Sequence, residues 1–323
     1  MIRAATSRLA VGPYVFLGAA VLMWGTGWWP IALASSHAPP LTVAGLRTAP
    51  AIPILLLALP LLGGRIPRGR LLFWAVLSGL IMVAFFQFGL TQSAARIGAG
   101  NTAVLVNTPP LMVAILAWIL LRERLPRRGI IGLPLGFIGV ILMVSSQIGG
   151  DFTKTALVTG VTFALLAALG WALGTMLLRY VAQQHDDVDM AGITAVQYLV
   201  AGGLLLPLAL AVNGVSDTDW TSPELLASVV WIGPVAALAT IMFFASLKQL
   251  PAARASAWLF LIPTIAILVE IARGNPPEGV VLMGMALTIL GVALVNAPQL
   301  SFAGIPGAVL GRMRAGSIRV RSR

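Results

Sequence analysis

The sequence predicts an all-α membrane protein: ten transmembrane helices arranged as two inverted five-helix repeats. Three observations carry this. Of the 323 residues, 59% are hydrophobic and only 10% are charged, whereas a soluble domain carries about 25% charged residues to solvate its surface. Ten long charge-poor runs follow one another with short connections. The two halves of the chain also echo each other. Spans of roughly 20 apolar residues fill the length and leave no room for a soluble domain.

The runs are 13–34, 40–62, 71–91, 97–121, 129–145, 156–178, 190–212, 225–247, 251–272 and 279–297. They are apolar on all sides, unlike barrel strands, which alternate over about 10 residues. In lipid the backbone must satisfy its own hydrogen bonds, so the runs are helices. The first follows Arg3 and Arg8 and contains Ala32-Leu33-Ala34, which looks like a signal-peptidase site. It exceeds a typical signal core of about 7–15 residues, and its loss would spoil the repeat, so it reads as a retained helix. The second opens at Pro40 and holds Arg47, and the third holds Gln87. The fourth starts at the Gly98-Ala99-Gly100 turn and carries Asn107-Thr108-Pro109-Pro110 near its middle. The fifth has Gly132 and Gly136 at close-packing spacing. The sixth carries Gly170-Trp171, the seventh Gln197-Tyr198, and the eighth no charge at all. The ninth holds Arg254, Trp258, Pro263 and Glu270, and the tenth Gly284 and Gly291.

Basic residues are strongly sided. Of 21 Lys and Arg, 17 fall on the side of the N-terminus: Arg3 and Arg8, the three before the third run, the four around 122–128, Arg179, Lys248, Arg254 and five in the tail. Arg96, Lys154 and Arg273 fall on the other side. The positive-inside rule makes the first side cytoplasmic, with both termini on it. This bias accounts for most of the +11 net charge without a nucleic-acid partner. The five tail arginines suit either anionic lipid head groups or simple solvation.

The halves repeat at fixed offsets. Pro110 and Pro263 lie 153 apart, Gly132 and Gly284 lie 152 apart, and Gly139-Val140 matches Gly291-Val292. Each half opens with a mid-span tryptophan, Trp24 and Trp171. Five spans per repeat force opposite orientations across the bilayer, the arrangement in which transporters place a site between the halves. The expected divisions are 12–148, 153–297 and a basic cytoplasmic tail, 298–323.

On these segments the chain resembles the EamA-type transporters of the drug/metabolite transporter superfamily. The matching stretches are Trp24-Gly25, the segment PLTVAGLRTAP from Pro40, 101–140, 160–179, TAVQYLVAGGLLLPL from Thr194, and 253–270. The resemblance spans roughly 12–297 and implies two EamA repeats and an exporter of small solutes. The family's acidic residue after the proline helix is present as Glu123, but Asn275 or Pro276 occupies the matching place in the second half. A symmetric pair of acids is therefore absent, and pairing of Glu123 with Arg122, Arg124 or Arg127 is the simple expectation.

Polar groups inside the runs are the candidate site. A charge in hydrocarbon is expensive and marks function by default. Arg47 either faces a central cavity and holds a carboxylate, or snorkels or bonds helix-end carbonyls. Glu270 is either a coupling carboxylate or an interfacial partner of Arg273. Pro109, Pro110 and Pro263 free backbone carbonyls one turn earlier, as hinges of kinked helices or as static kinks. Gln87, Asn107, Gln197 and Tyr198 either bond substrate or glue helices, each such bond worth about 0.6 kcal/mol. Trp24, Trp171 and Trp258 sit away from the interfacial belts and either pack the core or wall a pocket. A cavity with these groups suits a small amphipathic solute such as an amino acid.

Catalytic constellations are lacking. His37 and His185 fall in loops, no aspartate lies in a run, and no HExxH or GxSxG occurs. With no nucleotide motif, transport runs on solute or ion gradients. The reading is a secondary transporter of a small amphipathic metabolite or drug-like compound in the cell inner membrane. Its partners are the small-molecule substrate and membrane lipids, without cofactor, metal or nucleic acid. Pairing of two copies is left open, as are a small-solute channel and a flippase for lipid-linked substrates.

Overall fold

The computed structural model describes residues 12–61, 64–145, 148–185 and 188–297. The expected tail, Arg3, Arg8, Asp186 and Asp187 lie outside them. The described residues contain no strand, and their helical stretches fall into ten segments, several of them interrupted. They are α1 Pro13–Ser35, α2 Pro40–Leu61, α3 Arg70–Gly98, α4 Asn101–Leu121, α5 Arg127–Met143, α6 Lys154–Gln184, α7 Met190–Asn213, α8 Pro223–Leu247, α9 Ala252–Ala272 and α10 Gly279–Asn296. All but α5, nine among the described residues, are long and apolar enough to cross a membrane. α5 has 17 residues, about 26 Å at helical rise.

Several helices are interrupted, and the interruptions obey the repeat. α3 contains a π-helical stretch at Gly79–Ala84 and α8 one at Trp231–Val235. Their first residues are 152 apart (231 − 79), the spacing that separates Gly132 from Gly284. α4 stops at Val106 and restarts at Pro109, a residue suited to a helix start because it has no N–H to satisfy. α9 passes through one 3-10 turn at Trp258–Phe260, again displaced by about one repeat.

α2 departs from the expectation of a continuous span. It consists of Pro40–Leu46 and Ala51–Leu61, joined by a turn at 47–50. Pro50 and Pro53 cannot donate to the carbonyls of Leu46 and Ala49, so two helical bonds three residues apart are lost. Arg47 is the residue that caps the first half. α3 runs on through Arg96, expected in a loop, to Gly98, where φ of +77° and ψ of 163° suit only glycine. Arg96 donates to the carbonyl and side-chain oxygens of Gln92 and covers the Phe163 ring.

α5 and α10 run antiparallel along a glycine seam. A Cβ on Gly132 would lie 2.6 Å from the Gly291 carbonyl oxygen, and one on Gly139 equally close to that of Gly284. These two contacts are images of each other under the repeat. α2 and α7 approach as closely: a Cβ on Gly45 would meet Leu206 Cα at 2.8 Å, and one on Gly202 would meet Ala49 Cα at 2.7 Å. Small residues let backbones touch, and dispersion then holds helices that lipid would not push together.

Candidate functional site

Eight helices surround a cavity of about 120 Å³, and α5 and α10 contribute nothing to it. It lies mid-bundle and extends toward the end that bears the α1–α2 and α7–α8 connections. α1 supplies Trp24, Trp28 and Ile31; α2 supplies Arg47; α3 supplies Phe86 and Gln87; α4 supplies Asn107, Pro109 and Pro110. Trp171 of α6, Tyr198 of α7, Trp231 and Thr240 of α8 and Ile262 of α9 complete it.

Of the residues singled out from sequence, Trp24, Arg47, Gln87, Asn107, Pro109, Pro110, Trp171 and Tyr198 are thus brought together. Trp258 is not. It leans on α1, with its ring 6.0 Å from that of Tyr14, and does not line the cavity. Pro263 is buried in α9, outside the lining. Glu270 sits at the end of α9, accepting from Arg273 at 2.9 Å and from Asn275 at 2.7 Å, with its side chain 42% exposed. The interfacial pair is the arrangement found. Gln197 is fully buried as glue, donating to Ser78 Oγ between α7 and α3.

The polar groups of the cavity divide into occupied and open ones. Thr240 donates to the Ala236 carbonyl, so the 3.1 Å contact between its oxygen and the Tyr198 hydroxyl has Tyr198 as donor. Asn107 donates one amide hydrogen to the Ala103 carbonyl, one turn back. In contrast, Arg47 Nε, Trp171 Nε1 and Gln87 Oε1 are buried without a hydrogen-bond partner among the described residues. An unsatisfied buried donor or acceptor costs about 1–3 kcal/mol, and three at one place are poised for an occupant.

Aromatic rings build the floor. Trp24 and Trp171 meet edge to face at 5.7 Å, Phe86 lies 5.2 Å from Trp171, and Phe243 lies 5.7 Å from Trp24. Below them Phe243, Phe244 and Leu247 pack with Met176, Leu178 and Val181 of α6 into an apolar plug. That end is also tied by Glu123. Its carboxylate accepts from Arg179 Nε at 3.0 Å, from Gln183 at 3.3 Å and from the Ala252 backbone at 2.9 Å, while Arg179 donates onward to the Leu247 carbonyl. The expected pairing with the neighbouring arginines is replaced by this longer-range one. At the opposite end, Ala34, Val43, Leu46, Leu225 and Ile232 form a buried cluster, and the Asp219 N–H donates to the His37 carbonyl between two connections. There the Thr221 hydroxyl, donating at 2.8 Å, holds the Asp219 carboxyl below its usual range.

Trp28, Phe86, Trp231 and Thr240 line the cavity without having been singled out. Trp28 and Ile31 stand four and seven residues beyond Trp24, on one helical face, a usable signal. Trp231 matches Gly79 in the repeat, a residue with no side chain, so nothing pointed to it.

Comparison with known proteins agrees with this architecture. A solved crystal structure covering 88% of this chain superposes with a TM-score of 0.74 at 19% identity, a likeness of fold. An uncharacterised transporter of Bacillus subtilis, YvbV, is 30% identical over 282 residues, 85% of this chain and 88% of its own length. A WAT1-related chloroplastic protein of Arabidopsis thaliana is also 30% identical, over 85% of this chain and 67% of its own. A probable amino-acid metabolite efflux pump of Salmonella typhimurium is 23% identical over 84% of this chain and 90% of its own. The model of the EamA-like transporter family matches twice, at 12–145 and 158–297. Two matches in tandem account for the doubled architecture, and the chain is a multi-pass membrane protein that belongs to the EamA-like transporter family.

Proposed function

We propose that the chain is a secondary transporter that moves a small amphipathic metabolite, an amino acid or related solute or a drug-like compound, by alternating access. It crosses the cell inner membrane ten times, α5 included, with both termini cytoplasmic, and works as an exporter. The cavity carries this reading. It is drawn from both repeats and lined by aromatic faces and one cation, with open hydrogen-bonding groups, and one end is plugged. A cavity of about 120 Å³ is of the scale of a small metabolite. The tandem breaks in α4 and α9 and the π stretches in α3 and α8 are paired places where two helices per repeat change shape. Export is supported by the relative named as an efflux pump.

Purified protein in proteoliposomes tests this. A carrier saturates and shows counterflow when trans solute is present, whereas a pore does neither and a flippase moves head groups instead. Arg47→Ala and Asn107→Ala are expected to abolish saturable uptake while leaving helical content unchanged. Lowered thermal stability with transport spared in Arg47→Ala makes Arg47 a structural lock and removes it from the site.

A further inference from the structure

We propose that the occupant of the cavity is a monoanion: an organic carboxylate with an apolar body, whose further polar group, where it has one, is an uncharged donor. The proposal rests on the transporter reading and narrows its substrate class.

The argument is one of charge. Arg47 is the single titratable cation among the lining residues, and no Asp, Glu or His lines the cavity. Among the described residues the ion pairs lie elsewhere, at Glu123 with Arg179 and at Glu270 with Arg273. Arg47 Nε is buried and unpartnered. Before a solute enters, water can fill a polar cavity of this size and solvate the guanidinium. A solute that fills it removes that water and must replace it, because a buried unpaired charge is strongly unfavourable. A carboxylate does this with a charge-assisted bond, and the planar guanidinium fork suits it. The Trp171 Nε1 donor adds to the excess of donors over acceptors.

A zwitterion satisfies Arg47 but brings an ammonium into the same space. That ammonium finds the Gln87 amide oxygen and aromatic faces, and no carboxylate. The cavity's net charge stays positive, whereas a monoanion neutralises it. Gln87 Oε1, open and buried, is then served by a neutral hydroxyl or amide. An inorganic anion would neutralise Arg47 and leave the Trp24, Trp28, Phe86 and Trp231 walls without an apolar partner.

The test uses solutes that share a phenyl body and differ in charge: mandelate (monoanion), phenylglycine (zwitterion), methyl mandelate (neutral) and benzylamine (cation). Thermal-shift binding and proteoliposome counterflow are read for each, with isocaproate and leucine as a second, aliphatic pair. Mandelate and isocaproate are expected to bind about ten- to a hundredfold more tightly than their zwitterionic counterparts, and Arg47→Gln to erase that preference. Phenylglycine and leucine equal to or better than the acids overturn the proposal while the carrier reading stands. Preference surviving in Arg47→Gln overturns it as well, and so does stabilisation by chloride equal to that by mandelate. Absence of saturable counterflow with every solute overturns both readings. The wild-type comparison needs no variant, so a misfolded Arg47→Gln leaves the test intact.

Discussion

Glu123 joins three elements with one carboxylate: the α4–α5 connection, the last turns of α6 through Arg179 and Gln183, and the first N–H of α9. Both charged side chains of the Arg179 pair are mostly buried, 13% and 16% exposed, so solvent screens the pair less than a surface one. Hydrogen bonds to charged groups contribute about 1.5–3 kcal/mol. Glu123→Gln is therefore expected to shift the balance toward opening at this end by about ten- to a hundredfold. The readout is the rate at which a cysteine placed at Met176, in the plug below the aromatic floor, reacts with a small maleimide. An unchanged rate together with lowered thermal stability identifies the pair as a staple and not a gate. The acid itself was legible in the sequence, but its partner was not. Arg122 takes a left-handed conformation, φ +55°, and the Glu123 N–H reaches back to the Ala117 carbonyl. Glycine or asparagine usually occupies that helix-ending position, so nothing in the residues announced a reversal that carries Glu123 to a helix end 56 residues on.

At the scale of helices, the runs and their order were legible because apolar length is a direct consequence of bilayer thickness. The ends were less so. α6 was expected to stop near Leu178 but continues to Gln184, because a helix needs lipid only for its apolar part and Arg179 to Gln184 project beyond it. The break in α2 was written in Pro50 and Pro53, yet the apolar length of the run on both sides of Arg47 concealed it. The glycine spacing in α5 and α10 was legible as close packing, and the pairing of these two helices with each other followed only from the structure. Gly139→Ala is expected to cost about 1–3 kcal/mol by overpacking, since its Cβ would collide with Thr288 Oγ1 and the Gly284 carbonyl. Gly203→Ala, with nothing within 4 Å, is the matched control and is expected to leave the melting temperature in detergent unchanged or slightly raised. Equal melting temperatures for the two variants would show that the seam yields.

For the whole molecule, the twofold relation between halves was legible from a proline and a few glycines, and the structure carries the same 152-residue spacing into its π stretches and helix breaks. Sidedness is a separate matter, resting on arginine counts alone. It has a clean assay, because the chain has no cysteine. Arg68→Cys and Ser216→Cys, both exposed, are expected to react with an impermeant reagent from opposite faces of the membrane. Reaction from one face removes the ten-crossing topology. The empty column of acids in the cavity has a consequence for energetics. On the proposed reading, a monoanionic solute that crosses without a co-transported proton carries its charge uncompensated. An inner membrane is negative inside, and moving one charge across it releases about 2.3 kcal/mol per 100 mV, roughly a fiftyfold concentration ratio. On the proposed reading, the resting voltage of the cell is itself the motive force, and its sign drives the solute out.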